Sequence, residues 1–260
     1  MARVVVITGT DTGIGRSLAG MLDRAGDDVT GVGRFHGNGV VADLSNLAEV
    51  RRVASRIARA LPAIDLLVNN AGIHPGRRVL SADGFESAFA TNYLGHFLLT
   101  QLLLGQLEAA RGHVINLTSV SHRFGDLRRA PLDDIARGRA WRCGLQAYLD
   151  SKLANLLFTL EAARRWRERG ISVDAVHPGI LWTGIWKEVM LAARWVVRPF
   201  AWMMKGPDNG AAVVARVAAS AGTGRYFNTG RETRPGGQGC DTALARVLWE
   251  ESMTWVRGAA

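Results

Sequence analysis

The feature that most constrains the fold of this chain is the alternation of short β-branched runs with longer amphipathic segments, which builds βα units feeding a parallel sheet. Residues 4–7, 29–32, 40–42, 64–68, 114–117, 171–176 and the short pair 226–227 read as strands. Helical periodicity covers 14–25, a stretch opening near 47, a long run at 85–107 that is apolar on most faces, and 148–167. Residues 121–145, with Gly, Pro and many charges, read as an irregular insertion. At 260 residues and 48% hydrophobic, the chain can bury one full core. The expectation is one α/β domain over 1–260: a doubly wound parallel sheet of about seven strands with helices on both faces.

Several function classes fall away on composition. No stretch approaches the roughly 18 uncharged apolar residues of a membrane span, and the start runs into a strand without a signal-peptide layout. A cytoplasmic protein is expected. Cys143 and Cys240 lack both metal-ligand spacing and the density of a disulfide scaffold, so they read as free thiols. His74, His96, His113, His122 and His177 show no metal spacing and read as turn or core residues, leaving no metal expected. The net charge of +9 comes from arginines scattered along the chain, which argues against a nucleic-acid partner.

Strand one runs into Thr8, Gly9, Thr10, Asp11, Thr12, Gly13, Ile14 and Gly15, the pattern TGxxxGxG. Glycines there permit a tight turn and let backbone amides approach a pyrophosphate at a helix N-terminus, although a purely structural turn has the same spacing. At the end of strand two, an acid would bind the ribose hydroxyls of NAD and an arginine the 2′-phosphate of NADP. Gly33 fills the acidic position and Arg34 follows, which favours NADP(H) unless Arg34 is only a solvated surface residue. Asp43 and Leu44 follow strand three, where a carboxylate can meet an adenine amino group or cap the next helix.

Tyr148 and Lys152 stand four apart in a helical segment and share a face. An ammonium beside a phenol favours phenolate, and lysine is a pointed choice in a chain with three lysines against 29 arginines. Ser119 follows strand five, Asn70, Ala71 and Gly72 belong to an NNAG after strand four, and Asn92 lies within TNYLGHF on the long helix.

In this order the motifs resemble the short-chain dehydrogenase/reductase family, whose pattern spans nearly the whole chain and implies a Rossmann-type fold. TNYLGHFLLTQLLL, SHRF, AYLDSKLANLLF, GRYF and LWEES resemble its retinol dehydrogenase, WW-domain oxidoreductase and protochlorophyllide reductase branch. The resemblance implies Tyr148 as acid or base, Lys152 lowering its pKa and binding the nicotinamide ribose, and Ser119 bonded to the substrate oxygen. It further implies that Asn92 holds a water linking Lys152 to solvent. Pro178, Gly179 and Thr183 match the turn holding the nicotinamide carboxamide, and many relatives dimerise through the long helix and the Tyr148 helix, so a homo-oligomer is expected. Animal retinol dehydrogenases carry a membrane anchor absent from this sequence, so retinoid specificity is not carried over.

The implied activity is NADP(H)-dependent interconversion of a carbonyl and a primary or secondary alcohol on a lipophilic or aromatic small molecule. The rivals are an NADP-binding regulatory protein and a reductase of conjugated carbon–carbon double bonds. Trp182, Trp186, Met190, Trp195, Trp202, Met203 and Met204, interleaved with Lys187, Arg194, Arg198 and Lys205, read as a substrate lid around 182–205, a peripheral membrane contact or a buried helix pair.

Overall fold

The computed structural model describes residues 2–35, 39–179 and 206–258. Thr183 and the tryptophan-rich segment 182–205 lie outside the described residues. Eight strands form one sheet in the order β3-β2-β1-β4-β5-β6-β7-β8. They are β1 Val4–Thr8, β2 Asp28–Gly33, β3 Gly39–Val41, β4 Leu66–Asn69, β5 His113–Leu117, β6 Ser172–His177, β7 Tyr226–Asn228 and β8 Arg231–Glu232. All pair in parallel except β7 with β8. The eighth strand goes beyond the expected seven: two exposed charged residues carry no alternation that a sequence reading can detect.

Helices cover both faces because β-strand side chains alternate. Val6, Leu67, Val114 and Val173 point into one core layer, while Val5, Ile7, Leu66, Val68, Ile115 and Val176 point into the other. The first layer is closed by α2 Leu47–Ala60, α4 Gly95–Leu102, α5 Leu104–Ala110 and α7 Gly144–Trp166, the second by α1 Gly13–Arg24 and α8 Pro207–Ala218. Strand order reverses between β1 and β4, and the crevice beyond the carboxyl ends of these strands is where such sheets bind ligands.

The long helix expected over 85–107 is broken. A short α3, Ser87–Phe89, passes into a π-helical turn at Ala90–Leu94 before α4, with the Gly95 N–H bonded to the Ala90 carbonyl. A Cβ at Gly95 would stand 2.1 Å from the Leu44 carbonyl oxygen, so only glycine lets the helix press on the loop after β3. Asn92 lies within the π turn, and such turns are frequent at functional sites.

The insertion is ordered. It contains α6, Leu132–Ala136, and buries Leu127, Leu132 and Ile135. One of its charges is paired inward: Arg129 meets Asp150 of α7 at 2.7 Å with both side chains buried. The final helix α9, Thr242–Gly258, lies against α7 and the α3–α4 run. Trp249 contacts Phe97, Phe158 and Trp166, Trp255 contacts Phe85 and Phe89, and Tyr93 shares a 2.6 Å hydrogen bond with Ser252. The faces of α4 and α7 that carry these aromatics are thus covered within the chain.

Candidate active site

The floor of the cleft is a glycine turn. Gly9 and Gly13 adopt φ of 73° and 60°, and a Cβ at Gly15 would meet the Gly9 carbonyl oxygen at 2.2 Å. Thr12 precedes α1 with extended backbone and no side-chain cap, and Gly13, Ile14 and Gly15 put no acid into the first turn. The amide ends of α1 are left facing the crevice, where the helix dipole favours an anion.

Thr8 buttresses this turn. Its hydroxyl oxygen accepts from the Asn70 and Ala71 amides, each at 2.9 Å, and Asn70 Nδ2 donates to the Thr8 carbonyl at 2.7 Å. The next layer joins Asn69 to Thr100 and Asn116, and Asn116 to Thr159, through side-chain bonds of 2.8–3.0 Å, fixing β4 and β5 to α4 and α7. Beyond Ala71, Gly72 sits where a Cβ would stand 3.4 Å from Asn92 Oδ1 and 3.6 Å from Lys152 Nζ.

Arg34 directly follows β2, with its guanidinium 5.7 Å from the Phe35 ring centroid. Of the two readings of Asp43, capping of α2 is ruled out, because Asn46 accepts from the Ala48 and Glu49 amides at the helix start. Asp43 accepts instead from Ser45 N at 2.8 Å in its own turn, beside buried Leu44. Gly179, after Pro178, takes φ of 111°, a backbone conformation that suits glycine.

At the centre, α7 presents Tyr148 and Lys152 on one face, and Lys152 Nζ lies 5.7 Å from the tyrosine ring centroid. Burial pushes the phenol up to about 12, against a hydrogen bond with Ser119 that pulls it down. Burial pushes Lys152 down to about 8. Its Nζ donates to the Leu117 carbonyl at 3.0 Å, leaving donor capacity for a further acceptor. The hydroxyl of the neighbouring Thr118 donates to the Lys152 carbonyl at 2.7 Å.

Asn92 is a strut. Its Oδ1 accepts from Ile73 N at 2.7 Å, while Nδ2 donates to the Ile73 carbonyl and to Ser151 Oγ. Its carbonyl accepts from His96 Nδ1 at 2.9 Å. The sequence reading missed three neighbours of the site. Ser151 anchors Asn92, His96 supports Thr8, and the His74 ring stands 5.3 Å from that of Tyr148. His74 follows NNAG by a single intervening residue, a signal available in the sequence.

The glycine cradle, the NNAG loop and the paired Tyr148 and Lys152 come together at the carboxyl edge of one sheet, matching comparisons over nearly the whole length. Human retinol dehydrogenase 13 is 33% identical over 96% of this chain and 83% of its own. Bovine (Bos taurus) retinol dehydrogenase 12 is 35% identical over 96% and 85%. This chain belongs to the short chain dehydrogenase family, in its retinol dehydrogenase branch. The short chain dehydrogenase family model matches residues 3–127, which hold the cradle, NNAG, Asn92 and Ser119. Among solved structures, a protein from Mycobacterium Paratuberculosis is 31% identical with a TM-score of 0.76, over 98% of this chain and 93% of that one. A Brucella ovis oxidoreductase of the short chain dehydrogenase/reductase family, in complex with a partially ordered NAD, is 25% identical with a TM-score of 0.65, over 88% and 99%. In this short chain dehydrogenase, the uncapped α1 terminus and the buried lysine with spare donors fit a nicotinamide dinucleotide. Among the described residues, no helix is long and apolar enough to cross a membrane.

Proposed function

We propose that this oxidoreductase interconverts a carbonyl and a primary or secondary alcohol on a lipophilic small molecule, using NADP(H), within a single domain. The observation that carries the reading is the pairing of Tyr148 and Lys152 on one face of α7, with Lys152 Nζ 5.7 Å from the phenol ring centroid and Ser119 pulling the raised phenol down. The relatives named retinol dehydrogenases act on an alcohol of the same lipophilic class. The preference for NADP(H) rests on Arg34 beside Gly33, and a reducing, cytoplasmic setting agrees with the free thiols of Cys143 and Cys240. Any homo-oligomer would use a surface other than the helix faces covered by α9.

Gly9, Asp11, Thr12, Gly13, Ile14, Gly15 and Arg34 would hold the adenosine and pyrophosphate end, with Asp43 and Leu44 beside the adenine. Asn70, Ala71, Gly72, Tyr148, Lys152, Pro178, Gly179 and Thr183 would hold the nicotinamide end. The chemistry the dinucleotide supplies when bound is hydride transfer. In reduction, Tyr148 gives its proton to the substrate oxygen, and a phenol raised by burial holds that proton until an alkoxide develops. Ser119 donates to the same oxygen and stabilises the charge. Lys152 offers N–H donors from below, and Asn92 fixes the Ile73 backbone after the NNAG loop.

A screen of ketones, aldehydes and alcohols with NADPH and NADP⁺, read at the nicotinamide absorbance, tests the activity. Turnover that is lost in Tyr148→Phe supports the reading. Turnover unchanged in that variant rejects it.

A further inference from the structure

Asp11 Oδ2 accepts a hydrogen bond from the Arg34 backbone N–H at 2.7 Å. A Cβ at Gly33 would stand 2.3 Å from Asp11 Oδ1 and 2.7 Å from its Cγ. The carboxylate therefore lies against the last residue of β2, in space that any side chain at position 33 would occupy. In dinucleotide folds this strand end reads the adenosine ribose: an acid pairs with free hydroxyls, and a cation accepts a 2′-phosphate. Position 33 lacks the acid, yet the loop after β1 returns one to the same place. Arg34 does not neutralise it, because its guanidinium turns toward the Phe35 ring.

Resting on the reading of this cleft as a dinucleotide site, we propose that Asp11 is a cofactor-discriminating residue, supplying from the β1–α1 loop the carboxylate that β2 omits. Arg34 favours a 2′-phosphate and Asp11 opposes it by like-charge repulsion, so selectivity is the difference between two opposing charges on one strand end. The preference for NADP(H) is correspondingly modest, and NAD(H) is accepted as well.

Calorimetric titration of the full chain with NADPH, NADH, 2′,5′-ADP and 5′-AMP tests this without reference to turnover. Asp11→Asn keeps the side-chain size and an oxygen acceptor for the Arg34 N–H while removing the charge. The expected result is about tenfold tighter binding of NADPH and 2′,5′-ADP, with NADH and 5′-AMP unchanged or weakened, and a smaller gain at about 0.5 M salt, where charges are screened. An unchanged ratio of NADPH to NADH affinity in Asp11→Asn overturns the proposal. So does uniform weakening of all four ligands in both Asp11→Asn and Asp11→Ala, which would make Asp11 only an anchor for the turn. A parent chain that binds none of the four overturns the dinucleotide reading itself, and this proposal with it.

Discussion

The hydroxyl of Thr8 and Nε2 of His96 lie 2.8 Å apart beneath the cleft, joining the end of β1 to α4. His96 Nδ1 donates to the Asn92 carbonyl, so the Thr8 hydroxyl donates to Nε2, and burial holds the imidazole down at about 4 and neutral. Thr8→Val leaves the ring nitrogen and the Asn70 and Ala71 amides without their partner. At roughly 1–3 kcal/mol for each unsatisfied buried group, partly relieved by relaxation, the expected loss is about 2–4 kcal/mol. Urea unfolding measures it, and Thr8→Ser should restore most of the stability.

Tyr148→Phe keeps the ring packing and removes the transferable proton. Turnover should fall by at least about 100-fold, the lower end of general acid catalysis, while NADPH affinity changes little. Single-turnover kinetics alongside a binding titration separate the two effects.

Lys152 sits at about 8 in the ligand-free chain because burial disfavours its charge. An anionic ligand that accepts from Nζ favours the ammonium, so binding at or above about pH 8 should take up a proton, and affinity should fall as the pH rises toward about 10. Calorimetry in two buffers of different ionisation enthalpy reads the uptake directly. Lys152→Met should abolish it.

Asp174, fully buried on β6, takes hydrogen bonds from His113 at 3.0 Å and from Arg225 at 2.6 Å. Burial pushes its carboxyl up, but His113 and Arg225 together outweigh this and hold it below the ordinary value. A depressed native value stabilises the fold above about pH 4, and the contribution is lost as the pH falls through that lower value. Arg225→Ala strands the buried charge and should cost about 3 kcal/mol at neutral pH, with the deficit shrinking in acid. Chemical unfolding of both proteins across the acid range checks the sign.

Trp249 is 5% exposed and fills the space between α4 and α7. Trp249→Ala should cost about 3–5 kcal/mol, as deletion of a buried aromatic does. Once α9 is loosened, the bared faces should make the variant self-associate, which light scattering against the parent chain detects.

The fold class and most of the cleft were legible in the chain because they depend on local patterns. Strand alternation, TGxxxGxG, NNAG and the four-residue spacing of Tyr148 and Lys152 are set within a few residues of backbone geometry. Other features were not legible. The π turn at Ala90–Leu94 runs into Gly95, which packs on the Leu44 carbonyl about 50 positions earlier in sequence, a contact that no local pattern announces. The order of the insertion, read as irregular from its Gly, Pro and many charges, depends on contacts distant in sequence, among them the buried pair of Arg129 with Asp150 of α7.

The sequence by itself determined which residue types stand at each turn and helix face, since backbone sterics and hydrophobic period act over short separations. Only the tertiary structure decided what those residues meet. It set the Asp11 carboxylate against Gly33, closed the α4 and α7 faces with α9, and brought His74 to Tyr148. Each of these depends on the distance between chemically ordinary side chains from separate elements, and that distance is fixed by packing the whole sheet.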